Sequence, residues 1–399
     1  MKINIATGFF LPVPPVAGGA TEKIWHRLAQ EFAAAGHEVT FVSRTWPGFP
    51  DRERVAGVNH LRLPGADHTK SLARNLWHDF RWGLRVARAL PPADVSICNL
   101  ATLPAWLGQV YPRAGCVVAV VARMPKGQGR ALGGADLLFS LSDAVTEKLC
   151  AENPQLAGRI VPFPFPIDWK LHAEASAQPT AARAAPSAAT AGRGAAAPLT
   201  IGYIGRIHPE KGVHLLLAAA SRLAQRTDLP PWRLELVGPW SVPQGGGGDS
   251  YRDQLLAAHG TALGERLSFA GPEFDPARLA RRYGTMDVFC YPSLADKGET
   301  FGVSVAEAMA AGAAPVVSAL ACFRGLVIDG QTGLVFDHHA PDAEEQLAAR
   351  LAALLTDAAR RRAIAARAQD HARQYDFAVS AQTVLTDLER LVAGGFGRK

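Results

Sequence analysis

Two cations five residues apart and two carboxylates eight residues apart are the side chains of this 399-residue chain best spaced to act together. Arg206 and Lys211 lie in Gly205-Arg206-Ile207-His208-Pro209-Glu210-Lys211-Gly212, between a strand-like run, Leu199 to Tyr203, and a helical run, Val213 to Arg226. A turn there lets both heads converge at the carboxyl edge of a sheet, where helix N-terminal amides add positive potential. That combination suits a diphosphate and would neutralise one as it departs, without a metal ion. As lone surface charges the same two residues would do nothing. Glu299 and Glu307 belong to Gly298-Glu299-Thr300-Phe301-Gly302-Val303-Ser304-Val305-Ala306-Glu307, the first in a loop and the second just over a turn into a helix. Carboxylates accept paired hydroxyl donors, so one suits sugar hydroxyls and the other a ribose, with the Phe301 and Gly302 amides beside them. Gly18-Gly19-Ala20-Thr21-Glu22 offers bare backbone before a helix start, either an anion or sugar contact or an ordinary loop.

The elements that must position these groups alternate strand with helix. Strand patterns cover Ile3–Ala6, Glu38–Ser43, Val58–Leu63, Asp94–Cys98, Cys116–Ala122 and Asp136–Ser140, with a helix over Thr21–Ala35 closed by Gly36. The series restarts with strands at Leu199–Tyr203, Trp232–Val237, Leu267–Ala270, Asp287–Tyr291 and Ala314–Val317, and a helix at Ser304–Ala311. Alternation of this kind predicts α/β architecture: two doubly wound, parallel-sheet domains with ligands in the cleft between them. The expected domains are 1–172 and 199–376, with a C-terminal helix of about 377–395 packing back on the first. Between them, residues 173–198 contain 13 Ala and three Pro and read as an exposed, disordered connector. Gln244-Gly-Gly-Gly-Gly-Asp249 reads as a flexible loop tip.

Composition narrows the function. The opening strand is not followed by Gly-x-Gly-x-x-Gly, which argues against a nicotinamide or flavin enzyme. Residues 1–170 carry 19 Lys and Arg against 13 Asp and Glu, whereas residues 171–399 carry 23 of each, so the whole net charge of +6 sits in the first half. That excess is too modest for a nucleic-acid binder but suits an acidic substrate or an anionic membrane. The five cysteines are scattered, without a Cys/His cluster, which suggests neither a zinc site nor disulfides and points to a reducing compartment. With no signal-like start and no membrane-length apolar run, the expected location is the cytoplasm, with peripheral attachment to the inner face of the membrane as an option.

Taken together, Gly18-Gly19 with Glu22, Gly205-Arg206 with Lys211-Gly212, and Glu299 with Glu307 resemble the retaining glycosyltransferase family 4. Gly36-His37-Glu38-Val39, Ala308-Met309-Ala310-Ala311-Gly312 and Asp329-Gly330-Gln331-Thr332-Gly333 fall in the order that family shows. The resemblance implies a GT-B fold, two Rossmann-like domains facing across a cleft, and transfer of a hexose from a UDP- or GDP-sugar to a glycan or lipid-linked acceptor in cell-envelope polysaccharide synthesis. It implies that Arg206 and Lys211 grip the donor diphosphate and that Glu299 contacts the donor sugar and Glu307 the ribose. Gly18, Gly19, Gly205, Gly238, Thr300, Phe301, Gly302 and Val303 would complete the donor site. No cofactor or metal is expected, in keeping with the absence of Asp-x-Asp from the sequence.

The sequence departs from the family pattern on the acceptor side. Val121-Ala122-Arg123-Met124-Pro125-Lys126 holds no histidine where the family usually has one, and Asn99 lacks the histidine commonly found before it. Arg123 in that place, with Lys126, Asn99 and Glu22, forms the acceptor-side candidate set, either for an acidic sugar or acceptor or as a structural ion pair. The departure keeps open a non-catalytic nucleotide-sugar-binding protein, beside an epimerase or phosphorylase of the same fold. Finally, Lys70, Arg74, His78, Arg81, Arg85 and Arg88 recur among Leu72, Leu76, Trp77, Phe80 and Leu84 over residues 69–90. That stripe is either an amphipathic helix for anionic lipid, with Trp77 or Trp82 at the interface, or a sheet-covering helix with a solvated face.

Overall fold

The computed structural model describes residues 1–177 and 197–395. It divides the chain into two units, one of Met1–Pro166 together with the segment from Phe377 onward, the other of Ile167–Asp376. The first division therefore falls at 166/167, earlier than the expected 172. Of the 173–198 connector, 178–196 lie outside the described residues; 173–177 end a helix, Trp169–Ala177, and 197–198 are exposed and precede the next strand. Its packing explains the difference. Trp169 donates its indole N–H to the Gln369 carbonyl at 2.9 Å, the Arg373 guanidinium covers its ring at 4.7 Å, and buried His172 packs on the Tyr283 ring, so two large side chains anchor the helix.

The first unit is built on strands β1 (Lys2–Ala6), β2 (Glu38–Arg44), β3 (Arg52–Val55), β4 (Val58–Leu63), β5 (Val95–Cys98), β6 (Cys116–Val121), β7 (Leu137–Ser140) and β8 (Ile160–Pro162). Their order is β3-β4-β2-β1-β5-β6-β7-β8, parallel except for the β3–β4 pair. The interior strands β5 and β7 are buried at every residue, as expected where helices cover both faces. The charged strand β3 escapes a hydrophobic-pattern reading because it is an exposed edge; the two-residue turn Ala56-Gly57, both at positive φ, folds it against β4.

The helix Ala20–Ala34 buries Ile24, Trp25, Leu28, Ala29 and Phe32 on one face. It stops where Gly36 enters the left-handed region, with the His37 amide donating to the Phe32 carbonyl and the Gly36 amide to that of Ala33. This places β2 alongside β1 in parallel register. The C-terminal helix Phe377–Val392 packs on this same helix.

The second unit holds β9 (Leu199–Ile204), β10 (Trp232–Val237), β11 (Leu267–Ala270), β12 (Val288–Tyr291), β13 (Ala314–Ser318) and β14 (Leu334–Phe336), all parallel in the order β11-β10-β9-β12-β13-β14. The chain steps outward from β9 to β11, then returns to lay β12 on the other side of β9. Loops leaving β9 and β12 consequently diverge over one crevice at the carboxyl edge, the place where such sheets bind ligands. In the first unit the corresponding reversal lies between β1 and β5.

Candidate active site

Arg206 and Lys211 leave β9, and Glu299 leaves β12, so the reversal brings them together from opposite sides. Lys211 Nζ lies 2.6 Å from Glu299 Oε2, with both side chains largely buried. The same carboxylate oxygen accepts the Tyr291 and Ser293 hydroxyls at 3.2 Å each. Burial and the charge of Glu299 push the Tyr291 phenol well above its ordinary range, so it remains a donor. Tyr203 stacks on Tyr291 with centroids 5.7 Å apart and donates its hydroxyl to the Arg206 carbonyl at 2.8 Å. The two tyrosines thus underlie Lys211 and Glu299 and hold the backbone of Arg206.

Backbone contacts fix the two loops to each other. Gly212 has φ 66°, and a Cβ there would stand 1.9 Å from the Pro292 carbonyl oxygen, so only glycine permits this approach. The Leu294 amide donates to the Glu210 carbonyl at 2.8 Å, a second tie between the same segments. Gly238, at the end of β10, packs against the Gly205 carbonyl.

Arg206 is oriented by Glu210 and by the Gly245 carbonyl, which accepts from its Nη1 at 2.7 Å. Partial desolvation works to raise the Glu210 pKa, but the Arg206 hydrogen bond and the charges of Arg206 and Lys211 outweigh it and leave that pKa lowered. The Gln244–Asp249 run is therefore no loop tip. The Gly247 amide donates to the Ile207 carbonyl at 2.8 Å and the Gly248 amide to that of Trp240 at 2.7 Å, folding the run onto the arginine segment. Sequence reading missed Glu210, Tyr203, Tyr291 and Ser293. Glu210, four residues past Arg206 and beside Lys211, carried a usable signal in its charge spacing.

Glu307 lies in the helix Val303–Ala310, which starts at left-handed Gly302 with Phe301 buried just ahead of it. The buried Tyr283 hydroxyl donates to Glu307 Oε2 at 2.9 Å, and His172 Nε2 stands 3.8 Å from its Oε1. Tyr283 in turn packs against Phe289 of β12 and Phe289 against Tyr291, which links Glu307 through aromatic rings to the floor beneath Glu299.

The first-unit candidates are arranged differently. Gly18 and Gly19 both have positive φ, and Glu22 folds back on Gly19, where a Cβ would stand 2.2 Å from its Oε2. Glu22 is buried, and desolvation raises its pKa against the lowering effects of its own backbone amide and the Arg123 charge. Arg123 and Lys126 are exposed. Asn99 follows β5 at the reversal; its amide nitrogen and oxygen are both buried and without a hydrogen-bond partner.

The basic stripe forms the helix Leu72–Ala89, capped by Ser71. Trp82 is not interfacial: it is buried and donates its indole N–H to the Thr7 carbonyl at 2.9 Å. Asp79 is also inward, accepting the Thr102 amide and hydroxyl at 2.9 and 2.7 Å. The outer face keeps Leu72, Leu76, Trp77 and Phe80 exposed beside Arg74, Arg81 and Arg85. A cavity of about 180 Å³ adjoins it, lined by Phe9, Gly65, His78, Arg81, Trp82 and Arg85.

Comparison with known proteins places this geometry. Residues 194–371 match the family described as glycosyl transferases group 1. A phosphatidyl-myo-inositol mannosyltransferase of Mycolicibacterium smegmatis is 31% identical over 414 aligned residues, covering 99% of this chain and 95% of that protein. Among solved structures, a sucrose-phosphate synthase from Thermosynechococcus elongatus superposes with a TM-score of 0.75 at 22% identity, over 99% of this chain and 100% of the other. An Anabaena protein in complex with UDP-glucose gives 0.68 at 18% identity, over 98% and 99%. By its full-length relative, its two parallel-sheet units and its carboxyl-edge motifs, this chain belongs to glycosyltransferase family 4 and is a GT-B glycosyltransferase.

Proposed function

We propose that the chain transfers a hexose, with retention at the anomeric carbon, from a UDP- or GDP-sugar to a lipid-linked acceptor with an inositol phosphate headgroup. The observation that carries the donor half is the Lys211–Glu299 contact across the β9/β12 reversal, with the Arg206 backbone held by Tyr203 beside it. In this reading the diphosphate draws Lys211 and Arg206 from their carboxylate partners, and Glu299 turns to the hydroxyls of the sugar. The bond between the anomeric carbon and the diphosphate oxygen breaks as one forms to the acceptor oxygen on the same face. The departing diphosphate takes the acceptor proton, and the two cations stabilise its charge, so this step calls for no metal. Thr300, Phe301, Gly302 and Val303 lie where backbone amides meet the donor, Glu307 takes the ribose, and Gly18 and Gly19 serve the diphosphate.

The acceptor half rests on the full-length similarity to a phosphatidyl-myo-inositol mannosyltransferase and on the cationic cavity beside Arg81 and Arg85. Among the described residues no helix is long and apolar enough to cross a membrane, and the exposed Leu72, Leu76, Trp77 and Phe80 beside basic side chains suit docking on anionic lipid. The test is transfer from a panel of nucleotide sugars to vesicles with and without phosphatidylinositol. Glycolipid formation is expected to fall at least about 100-fold in Arg206→Ala and Lys211→Ala. Near-normal turnover in both, an isomerised nucleotide sugar, or dependence on added phosphate overturns the reading.

A further inference from the structure

Three residues that no part of the transfer reaction uses converge at the rim of the second sheet. Asp296 lies in the loop after β12, three residues before Glu299, and His338 and His339 follow β14. Asp296 Oδ1 stands 3.4 Å from His338 Nε2 and 3.4 Å from His339 Nε2, and one donor atom from each residue falls within 4.8 Å of the others. His338 is the informative member. Its side chain is only 2% exposed, its Nδ1 has no hydrogen-bond partner, and its Nε2 faces only the Asp296 carboxylate, without the alignment of a formed hydrogen bond. An imidazole taken out of water with one nitrogen unsatisfied and the other poorly aligned to its partner carries a desolvation cost that a ligand would offset.

We infer that Asp296, His338 and His339 form a binding site for a divalent transition metal of the zinc class. Two imidazoles and one carboxylate are borderline donors that favour Zn²⁺ or Co²⁺ over Mg²⁺ or Ca²⁺, which take oxygen sets. Distance supports a tetrahedral ion. Bonds of about 2.0–2.1 Å in tetrahedral geometry put neighbouring donors about 3.3–3.4 Å apart, whereas an octahedral ion brings them to about 3.0 Å. Both carboxylate–imidazole separations match the tetrahedral edge. The remaining edge, between the two imidazoles, closes by rotation of His339, whose side chain is 67% exposed and whose ring contact is with His338 itself, centroids 4.0 Å apart. Three protein ligands leave one position for water or another small donor. The ion would clamp the Glu299-bearing loop to the turn after β14. The site does not depend on the proposed transfer reaction, because none of Arg206, Lys211 and Glu299 belongs to it.

The site is tested on the full-length, untagged chain stripped with chelator and titrated with Co²⁺ or Zn²⁺ chloride. Co²⁺ is expected to bind one ion per chain with the intense visible bands of tetrahedral coordination. Zn²⁺ is expected to displace it and to raise the melting temperature by mass action. His339→Ala and Asp296→Asn alter exposed side chains and preserve the fold. Each is expected to weaken binding at least about tenfold and abolish the bands. Absence of stoichiometric Co²⁺ binding, pale octahedral spectra, or unchanged binding in both variants overturns the site. His338→Phe supplies an independent reading: it fills the same buried space, and it must remove the metal while leaving the apo-protein at least as stable.

Discussion

The carboxyl edges of the two sheets solve one topological problem with opposite electrostatics. In the second unit the reversal between β9 and β12 holds charges already paired, Lys211 with Glu299 and Arg206 with Glu210. In the first unit the reversal between β1 and β5 holds an amide with nothing to bond, Asn99, and a buried acid, Glu22, that burial drives toward its neutral form. A paired site can exchange one anionic partner for another at modest desolvation cost, which suits a charged donor. A site with an unbonded buried amide gains most from a hydroxyl-rich ligand that can both donate and accept.

The sharpest break of this contrast is Lys211→Ala. Losing a cation aimed at developing diphosphate charge is expected to lower turnover about 10²–10³-fold. It also strands the largely buried Glu299 carboxylate, at a stability cost of about 3–5 kcal/mol. Glu299→Gln in the Lys211→Ala background separates the two effects: stability is expected to recover substantially while turnover stays low. Calorimetric unfolding and donor hydrolysis measure the two halves. Recovery of turnover along with stability would make the pair a structural bridge.

Acidification tests the first unit separately. Burial, then the charges of Arg62 and His26, push His60 down to about 4 from 6.5, with Glu53 opposing. The unfolded chain takes a proton on this ring near pH 6.5, whereas the folded chain resists until about pH 4. Stability present above pH 6.5 is therefore lost as pH falls through that window, by roughly 3 kcal/mol from this one group. His60 stacks on Phe41, so His60→Phe keeps the aromatic contact and should flatten the acid limb. Hydrogen exchange of β2 and β4, read against β9 and β12, assigns the loss to its unit; equal acid loss in both would refute it.

Asn99→Ala sharpens the difference at smaller amplitude. Removing an unpaired buried amide is expected to leave stability unchanged or raise it by about 1 kcal/mol. If Asn99 serves a hydroxylated ligand, the acceptor KM rises about tenfold while donor hydrolysis is untouched. Destabilisation of the variant, or a loss falling on donor hydrolysis instead, would contradict the contrast between the two edges.

How much of this was legible in the sequence follows from the same contrast. Gly205-Arg206 with Lys211, and Glu299 with Glu307, announce themselves because phosphate and sugar chemistry restricts residue type and turn geometry together. The alternating strands and the Gly36 helix stop were equally readable. What escaped depends on distant partners. The Gly245 carbonyl reaches Arg206 across 39 positions, and a four-glycine run gives no local sign that it will fold onto a neighbouring strand end. Trp82 and Asp79 share the stripe with exposed residues, and only the opposing loop at Thr102 and the strand end at Thr7 turn them inward. The Asp296–His338–His339 grouping has no sequence signature because its members follow different strands.

The last prediction uses the stripe helix, where the two units differ in net charge. Trp77 and Phe80 stack with centroids 6.2 Å apart on an exposed face they share with Leu72, Leu76 and basic side chains, contacts that do little for a solvated helix. Replacing both with Ser is expected to change unfolding free energy by less than about 0.5 kcal/mol for Trp77, and somewhat more for Phe80, which also meets the Trp106 ring. Sedimentation with anionic vesicles should nevertheless fall several-fold, and Arg81→Glu with Arg85→Glu should fall further and lose its dependence on salt. A face selected only for solvation would give the reverse: a wild-type chain that ignores vesicles, and aromatic replacements that improve solubility and change nothing else. The two charge replacements also line the 180 Å³ cavity, so only the serine pair separates surface docking from headgroup binding inside it.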